Sequence, residues 1–201
     1  MDCIAMMERQ ILVIGYGAIA SELVAALLAT TQANYRLGLL LRPGSTSRER
    51  APGGVTVCES IEEAAAFCPD LVVEAAGHGA VSDSVPALIQ LGLPVLISSI
   101  GALHDQALLS RLLATADAHG GRLILASGAL GGLDYLRAVR GAGGLSIGYE
   151  SRKQPAAWAA ELKAIGRQPE EISRPLTLFK GTAREAASIY PQNLNVGAAV
   201  A

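Results

Sequence analysis

Residues 11–20 read I-L-V-I-G-Y-G-A-I-A, and few folds accommodate such a stretch. A short apolar run rich in β-branched residues suits a buried parallel strand; here it stops at two glycines that open an apolar helical pattern at Ile19, Leu23 and Leu27. Strand, tight turn and helix are expected in that order. Gly15 permits the sharp turn, Gly17 lets backbone come close to a pyrophosphate, and the first helical N–H groups, at Ala18 and Ile19, face that anion. The third position of the fingerprint is filled by Ala20. Glycine after a strand often only turns the chain, but a strand before and a helix after favour a dinucleotide site.

The rest of the composition agrees with a small-metabolite protein. Half of the 201 residues are apolar, enough to bury a core. A formal net charge of −2 and a pI of about 5.9 describe no global basic surface, which argues against a nucleic-acid partner held through phosphates. Cys3, Cys58 and Cys68 are odd in number and lack C-x-x-C spacing, so neither a disulfide framework nor a metal site is indicated; they read as reduced thiols of a cytoplasmic protein. No basic region followed by a long apolar one precedes Ile11, and no uncharged apolar run reaches about 18 residues, so neither secretion nor membrane insertion is expected.

Further along, strands are expected at 35–41, 55–57, 71–74, 95–98 and 123–126, with helices between them. The second strand ends in Leu41 and Arg42, where an NAD-specific fold usually places an acid for the ribose hydroxyls; a cation there admits a 2′-phosphate, or is simply solvated at a loop start. Residues 45–54 read as a mobile surface loop. Ser60 and Glu63 form an S-x-x-E capping box. The strand at 71–74 runs into Ala75-Ala76-Gly77-His78-Gly79-Ala80, a loop on the carboxyl edge where open α/β sheets bind ligands. A helix over 81–91 is interrupted by Pro86. A helix over 104–119 carries leucines 108, 109, 112 and 113 on one face and stops at Gly120-Gly121. The expectation is an α/β fold, a Rossmann-type doubly wound parallel sheet with helices on both faces, spanning residues 1–128.

Past Ser127 the grammar changes. A helix at 133–140 and strands at 145–150 and 176–180 predict a partial α+β domain over residues 129–201. A second capping box, Thr182 with Glu185, starts a helix that Pro191 ends. The last residues, from Asn195, look like an apolar helix just begun, so a continuation past Ala201 is expected.

Taken together the motifs resemble the L-aspartate dehydrogenase family. The likeness rests on G-Y-G-A-I-A at 15–20, V-V-E-A-A-G-H at 72–78, S-I-G-A-L at 99–103, S-G-A-L-G-G-L-D at 127–134, S-R-K-Q-P at 151–155 and F-K-G-T-A-R-E-A-A-S-I-Y-P-Q-N-L-N-V at 179–196. The last run is the most specific, since a generic Rossmann enzyme has no reason to share it. The resemblance implies oxidation of L-aspartate to iminoaspartate with NAD or NADP, a homodimer, and an α+β domain that supplies substrate contacts. It implies cofactor contacts from Gly15, Gly17, Ala18 and Ile19, from Ala129 and from Asn195; Ala76, Gly77 and His78, in the loop on the carboxyl edge, are further candidate cofactor contacts. It also implies that the family's acid/base histidine lies in a segment beyond residue 201.

Among the residues present, His78 is the candidate catalytic acid/base, because an imidazole is the side chain suited to exchanging protons near neutral pH; alternatively it lines the nicotinamide pocket without exchanging protons. Arg152 and Lys153 are the candidate anchors for the two substrate carboxylates, as a two-pronged guanidinium and a point charge, or else a solvated charge pair. Asn195 pairs with the nicotinamide carboxamide or caps the final helix. Glu74 ends a buried strand, where a carboxylate needs a partner, and is read as orienting a loop. Two rival readings remain: a non-catalytic nucleotide-binding protein, and another Rossmann oxidoreductase such as a relative of homoserine dehydrogenase.

Overall fold

The structure, a computed structural model, describes residues 8–30, 34–126, 132–139, 141 and 146–190. The glycine-terminated apolar run forms β1 (Arg9–Ile14), followed by α1 (Ala18–Ala29) and β2 (Tyr35–Leu40). Next come β3 (Thr56–Cys58), α2 (Ile61–Ala66), β4 (Leu71–Glu74), α3 (His78–Asp83), α4 (Val85–Gln90), β5 (Pro94–Ile97), α5 (Gln106–His119) and β6 (Arg122–Leu125). All neighbouring strands pair in parallel, in the order β3-β2-β1-β4-β5-β6. The order reverses between β1 and β4, creating the crevice where ligands of open α/β sheets bind. The doubly wound parallel sheet expected from the alternation is therefore the one found.

Period-2 alternation divides the core between the two faces of the sheet. Ile11 and Val13 of β1 and Leu37 and Leu39 of β2 pack with Ala20 and Val24 of α1 on one face. Leu12, Ile14, Val72, Val95 and Ile97 meet residues of α2, α3, α4 and α5 on the other. The seating of α1 differs from expectation by one position. Ala20, not Ile19, faces the sheet, with Leu23 and Leu27 half-buried beside it, while Ile19 is 67% exposed. Small Ala20, fully buried, lets the helix lie close to β1, and its bulky neighbour is left outward at the crevice.

Other corrections have local causes. The helix expected over 81–91 is two, α3 and α4, because Pro86 falls in the first turn of α4, where its missing N–H costs nothing. The helix expected from His104 begins instead at Gln106, where the Asp105 carboxylate accepts from the N–H groups of Ala107 (2.9 Å) and Leu108 (3.2 Å). Residues Ile100–His104 form a 3-10 turn ahead of it. On α5, Leu108 and Leu112 are buried, but Leu113 is 48% exposed, outside the expected stripe. Gly120 ends the helix in the left-handed conformation, at φ 71°, as its sequence position requires. At Ser60 only half of the capping box forms: its hydroxyl accepts from Glu63 N–H at 3.2 Å, while the Glu63 carboxylate turns to the Glu59 N–H at 2.7 Å.

After β6 the described elements are α6 (Leu133–Val139), α7 (Ala159–Ala164), α8 (Ala183–Ile189) and short 3-10 turns. The strands expected at 145–150 and 176–180 do not form among the described residues: 146–150 are exposed throughout and join no sheet. A strand is stabilised by its neighbour, and apolar alternation alone supplies none. The capping box at α8 is complete, with the Thr182 hydroxyl accepting from Glu185 N–H (3.2 Å) and the Glu185 carboxylate accepting from Thr182 N–H (2.9 Å). A ring cluster steadies this region: Tyr190 meets Trp158 edge-on at 5.5 Å and Phe179 at 6.2 Å, and its hydroxyl donates to the Leu178 carbonyl. The helix α8 packs against the 3-10 turn at Ile100–His104, bringing this region to the carboxyl end of β5. Among the described residues no helix is long and apolar enough to cross a membrane.

Candidate active site at the sheet switch point

The two glycines of the first loop are glycines for different reasons. Gly15 has φ +86°, and a Cβ there would lie 2.6 Å from the Ala76 Cβ, so the turn after β1 and the loop after β4 are in contact only because no side chain intervenes. Gly17 precedes α1 with φ −83° and no side-chain cap, and a Cβ there would meet nothing within 4 Å. The protein's own packing does not demand glycine at 17. Open space over a helix start without a side-chain cap is what a dinucleotide pyrophosphate requires, so these residues fit the group expected of them.

Across the crevice, β4 ends in Glu74, aligned with Ile14 of β1 and Ile97 of β5. Its side chain is fully buried. One carboxylate oxygen accepts from the N–H groups of Ala76 (2.9 Å) and Gly77 (2.8 Å) and from the Ser99 hydroxyl (3.0 Å). The other accepts from the Ser99 N–H at 2.9 Å. The Ser98 hydroxyl donates to the Glu74 backbone carbonyl at 2.8 Å. A single side chain thus ties the loop after β4 to the loop after β5. Gly77, at φ +132°, completes the turn into α3 in a conformation that favours glycine.

His78 is the first residue of α3, half-buried on this edge, with no hydrogen-bond partner for its ring among the described residues. His104 differs: its Nδ1 lies 2.7 Å from the Gly101 carbonyl, which engages it locally. On the opposite side of the crevice, the segment expected to be a mobile loop contains a 3-10 turn, Thr46–Arg50. Arg50 donates to the Tyr16 carbonyl (3.3 Å) and the Ser47 hydroxyl (2.9 Å) and lies 6.0 Å above the Tyr16 ring. This cation at the glycine loop was not singled out by sequence; its signal is the S-x-x-R spacing, which puts Ser47 and Arg50 on one side of a turn. Arg42 is exposed at the end of β2.

The structure therefore gathers Gly15, Gly17, Ala18, Ile19, Ala76, Gly77 and His78 around one crevice. It gives the carboxylate-anchor candidates other partners. Arg152 pairs with Glu150 at 2.7 Å in an exposed segment, an arrangement that holds the Glu150 carboxyl below its usual range and raises the guanidinium. The Lys153 ammonium lies 5.3 Å from the Trp158 ring centroid. Ala129 and Asn195 lie outside the described residues. The concavities lined by Ala65, Cys68, Pro69, Leu91 and Leu93, at the amino edge of the sheet, and by Ser82, Asp105 and Arg111 are away from the glycine loop.

Comparison with known proteins agrees with this geometry. The family described as "Homoserine dehydrogenase, NAD binding domain" matches residues 15–126, and "Aspartate dehydrogenase, C-terminal" matches residues 134–201. The chain is 44% identical over 195 residues to L-aspartate dehydrogenase 2 of Bordetella bronchiseptica, covering 97% of this chain and 73% of that one. It is 40% identical over 192 residues to the L-aspartate dehydrogenase of Ruegeria pomeroyi, covering 96% and 68%. The crystal structure of aspartate dehydrogenase from Thermotoga maritima shares the fold, with a TM-score of 0.66 at 21% identity over 96% of this chain and 72% of that one.

Proposed function

The chain belongs to the L-aspartate dehydrogenase family, and from that premise we propose that it oxidises L-aspartate at Cα to iminoaspartate, with NAD or NADP as the acceptor. The observation that carries this reading is that the match to curated relatives runs through both halves of the chain, cofactor loop and later segment alike. When bound, the nicotinamide takes the hydride from Cα. The protein's part is to hold the reactants at near-attack distance, accept a proton from the substrate ammonium, and neutralise two carboxylates.

The chain's own groups divide these tasks. The turn at Gly15 and the open helix start at Gly17, Ala18 and Ile19 receive the pyrophosphate. Ala76, Gly77 and His78, on the nicotinamide side of the switch point, form the wall against which the reacting ring is oriented. His78, half-buried on that wall, lines the pocket or exchanges the proton. Arg152 and Lys153 take the substrate carboxylates, Arg152 by exchanging its Glu150 partner for substrate; Ala129 and Asn195 complete the cofactor contacts. The exposed Arg42 and the absence of an acid at the end of β2 support use of NADP beside NAD.

Residues 1–128 and 129–201 act as cofactor-binding and substrate domains in this reading. Assembly as a homodimer, residence in the cytoplasm, and delivery of iminoaspartate either to quinolinate synthesis or to hydrolysis as oxaloacetate and ammonia belong to the same proposal, supported by the family membership. The test is direct. Purified protein given L-aspartate and NAD+ or NADP+ at alkaline pH is expected to produce the absorbance of the reduced cofactor. Folded protein that yields none with either cofactor overturns the proposal.

A further inference from the structure

Glu74 is the one charged residue buried among the described residues. Three obligate N–H donors, spread over both of its oxygens, suit the ionised, acceptor-only form. No Lys, Arg or His among the described residues forms an ion pair with it. Burying an anion without a counter-cation is costly, and hydrogen bonds repay that cost only in part. Both oxygens must accept, which no neutral side chain offers, and the hydrogen bonds leave a net negative charge fixed at the end of β4, beside whatever binds over that edge.

The place of this charge in the fold identifies what it faces. In a sheet of this order the adenosine half of a dinucleotide lies over β1, β2 and β3, and the nicotinamide half over the ends of β4 and β5. Glu74 ends β4, and its carboxylate is bonded to both loops bordering that half-site. Oxidised nicotinamide carries a positive charge on its ring and the reduced ring is neutral. We propose that Glu74 is a positioning residue that sets the cofactor's preferred oxidation state: its buried negative charge favours the cationic ring of NAD+ over the neutral ring of NADH, and its hydrogen bonds hold the wall that presents this ring to substrate. The inference rests on the dinucleotide reading above.

The experiment measures dissociation constants of NAD+ and NADH, by calorimetry and by NADH fluorescence, for the wild type and for Glu74→Gln, with folding checked by circular dichroism. Gln retains one accepting oxygen but removes the charge. A loss of loop order alone weakens both forms equally, whereas loss of the charge is expected to shift the NAD+ to NADH affinity ratio about tenfold towards NADH, as a unit charge several ångströms away in a medium of intermediate dielectric would. A ratio within about twofold of wild type overturns the inference. Should Glu74→Gln not fold, Ser99→Ala serves: it removes a donor that disperses the charge, and is expected to tilt the ratio roughly twofold further towards NAD+. An unchanged ratio, or a tilt towards NADH, overturns the inference in that variant. Wild-type protein that binds neither form, and neither NADP+ nor NADPH, refutes the cofactor reading itself, an outcome distinct from both.

Discussion

At Gly15 a methyl group would press on Ala76, and at Gly17 it would project into empty space, so the same substitution should do different things at the two positions. Gly15→Ala is expected to cost roughly 1–3 kcal/mol from its left-handed backbone alone, with further loss from the clash, and to lower Tm. Gly17→Ala is expected to leave Tm unchanged in the absence of ligand and to weaken NAD+ binding at least tenfold by calorimetry, because the methyl occupies the space a pyrophosphate needs. Equal effects on stability would contradict the distinction. His78 lends itself to a kinetic test. As a pocket-lining residue, its change to Gln raises KM for the cofactor and leaves kcat within about tenfold; a fall in kcat of about 10²–10⁴ would assign it the proton transfer. The sequence places His78 on the functional edge, but the choice between these roles depends on where substrate sits.

Among the elements, α8 shows how far a local motif reaches. Its capping box was legible from Thr182 and Glu185, and both reciprocal bonds form. Those bonds, first to the Thr182 N–H and then to its hydroxyl, hold the Glu185 carboxyl below its usual range. A carboxylate whose folded value is depressed contributes stability that is fully present above the unfolded value, and that contribution disappears as pH falls through the folded one. The protection of the Ala183–Ile189 amides from hydrogen exchange, taken relative to their intrinsic rates, is therefore expected to fall as pH drops below about 4, and Thr182→Ala, at a cost of about 1 kcal/mol, to produce the same local opening at neutral pH. The Ser60 box was equally legible and formed only by half, because the competing Glu59 N–H lies within reach of the Glu63 carboxylate. The strands expected at 145–150 and 176–180 fail for a related reason: alternation marks a willing strand but cannot supply a partner.

For the molecule as a whole, the proposal that Arg152 and Lys153 anchor substrate requires the later segment to bring them to the crevice at the end of β4 and β5. The contact between α8 and the turn at Ile100–His104, which begins just after Ser99, gives the two regions a shared boundary at that edge. Arg152 is exposed and, among the described residues, pairs with its near neighbour Glu150, so Arg152→Ala is expected to leave Tm unchanged. If the guanidinium takes a substrate carboxylate, the same change raises KM for aspartate by an order of magnitude or more while leaving NAD+ affinity intact. Unchanged steady-state kinetics would remove Arg152 from the site.

Residues close together in the chain carried most of what could be read without coordinates. The glycine loop, the alternation of strand and helix, the stop at Gly120 and the box at Thr182 all depend on neighbours within a few positions, and backbone geometry is local. Tertiary structure alone decided which face of α1 meets the sheet, that Arg50 comes back to the Tyr16 carbonyl, and that Glu74 is bonded to Ser99 across 25 positions of sequence. Those contacts form because strands distant in the chain lie side by side, and the burial that makes an ionised carboxylate consequential exists only once the sheet has assembled.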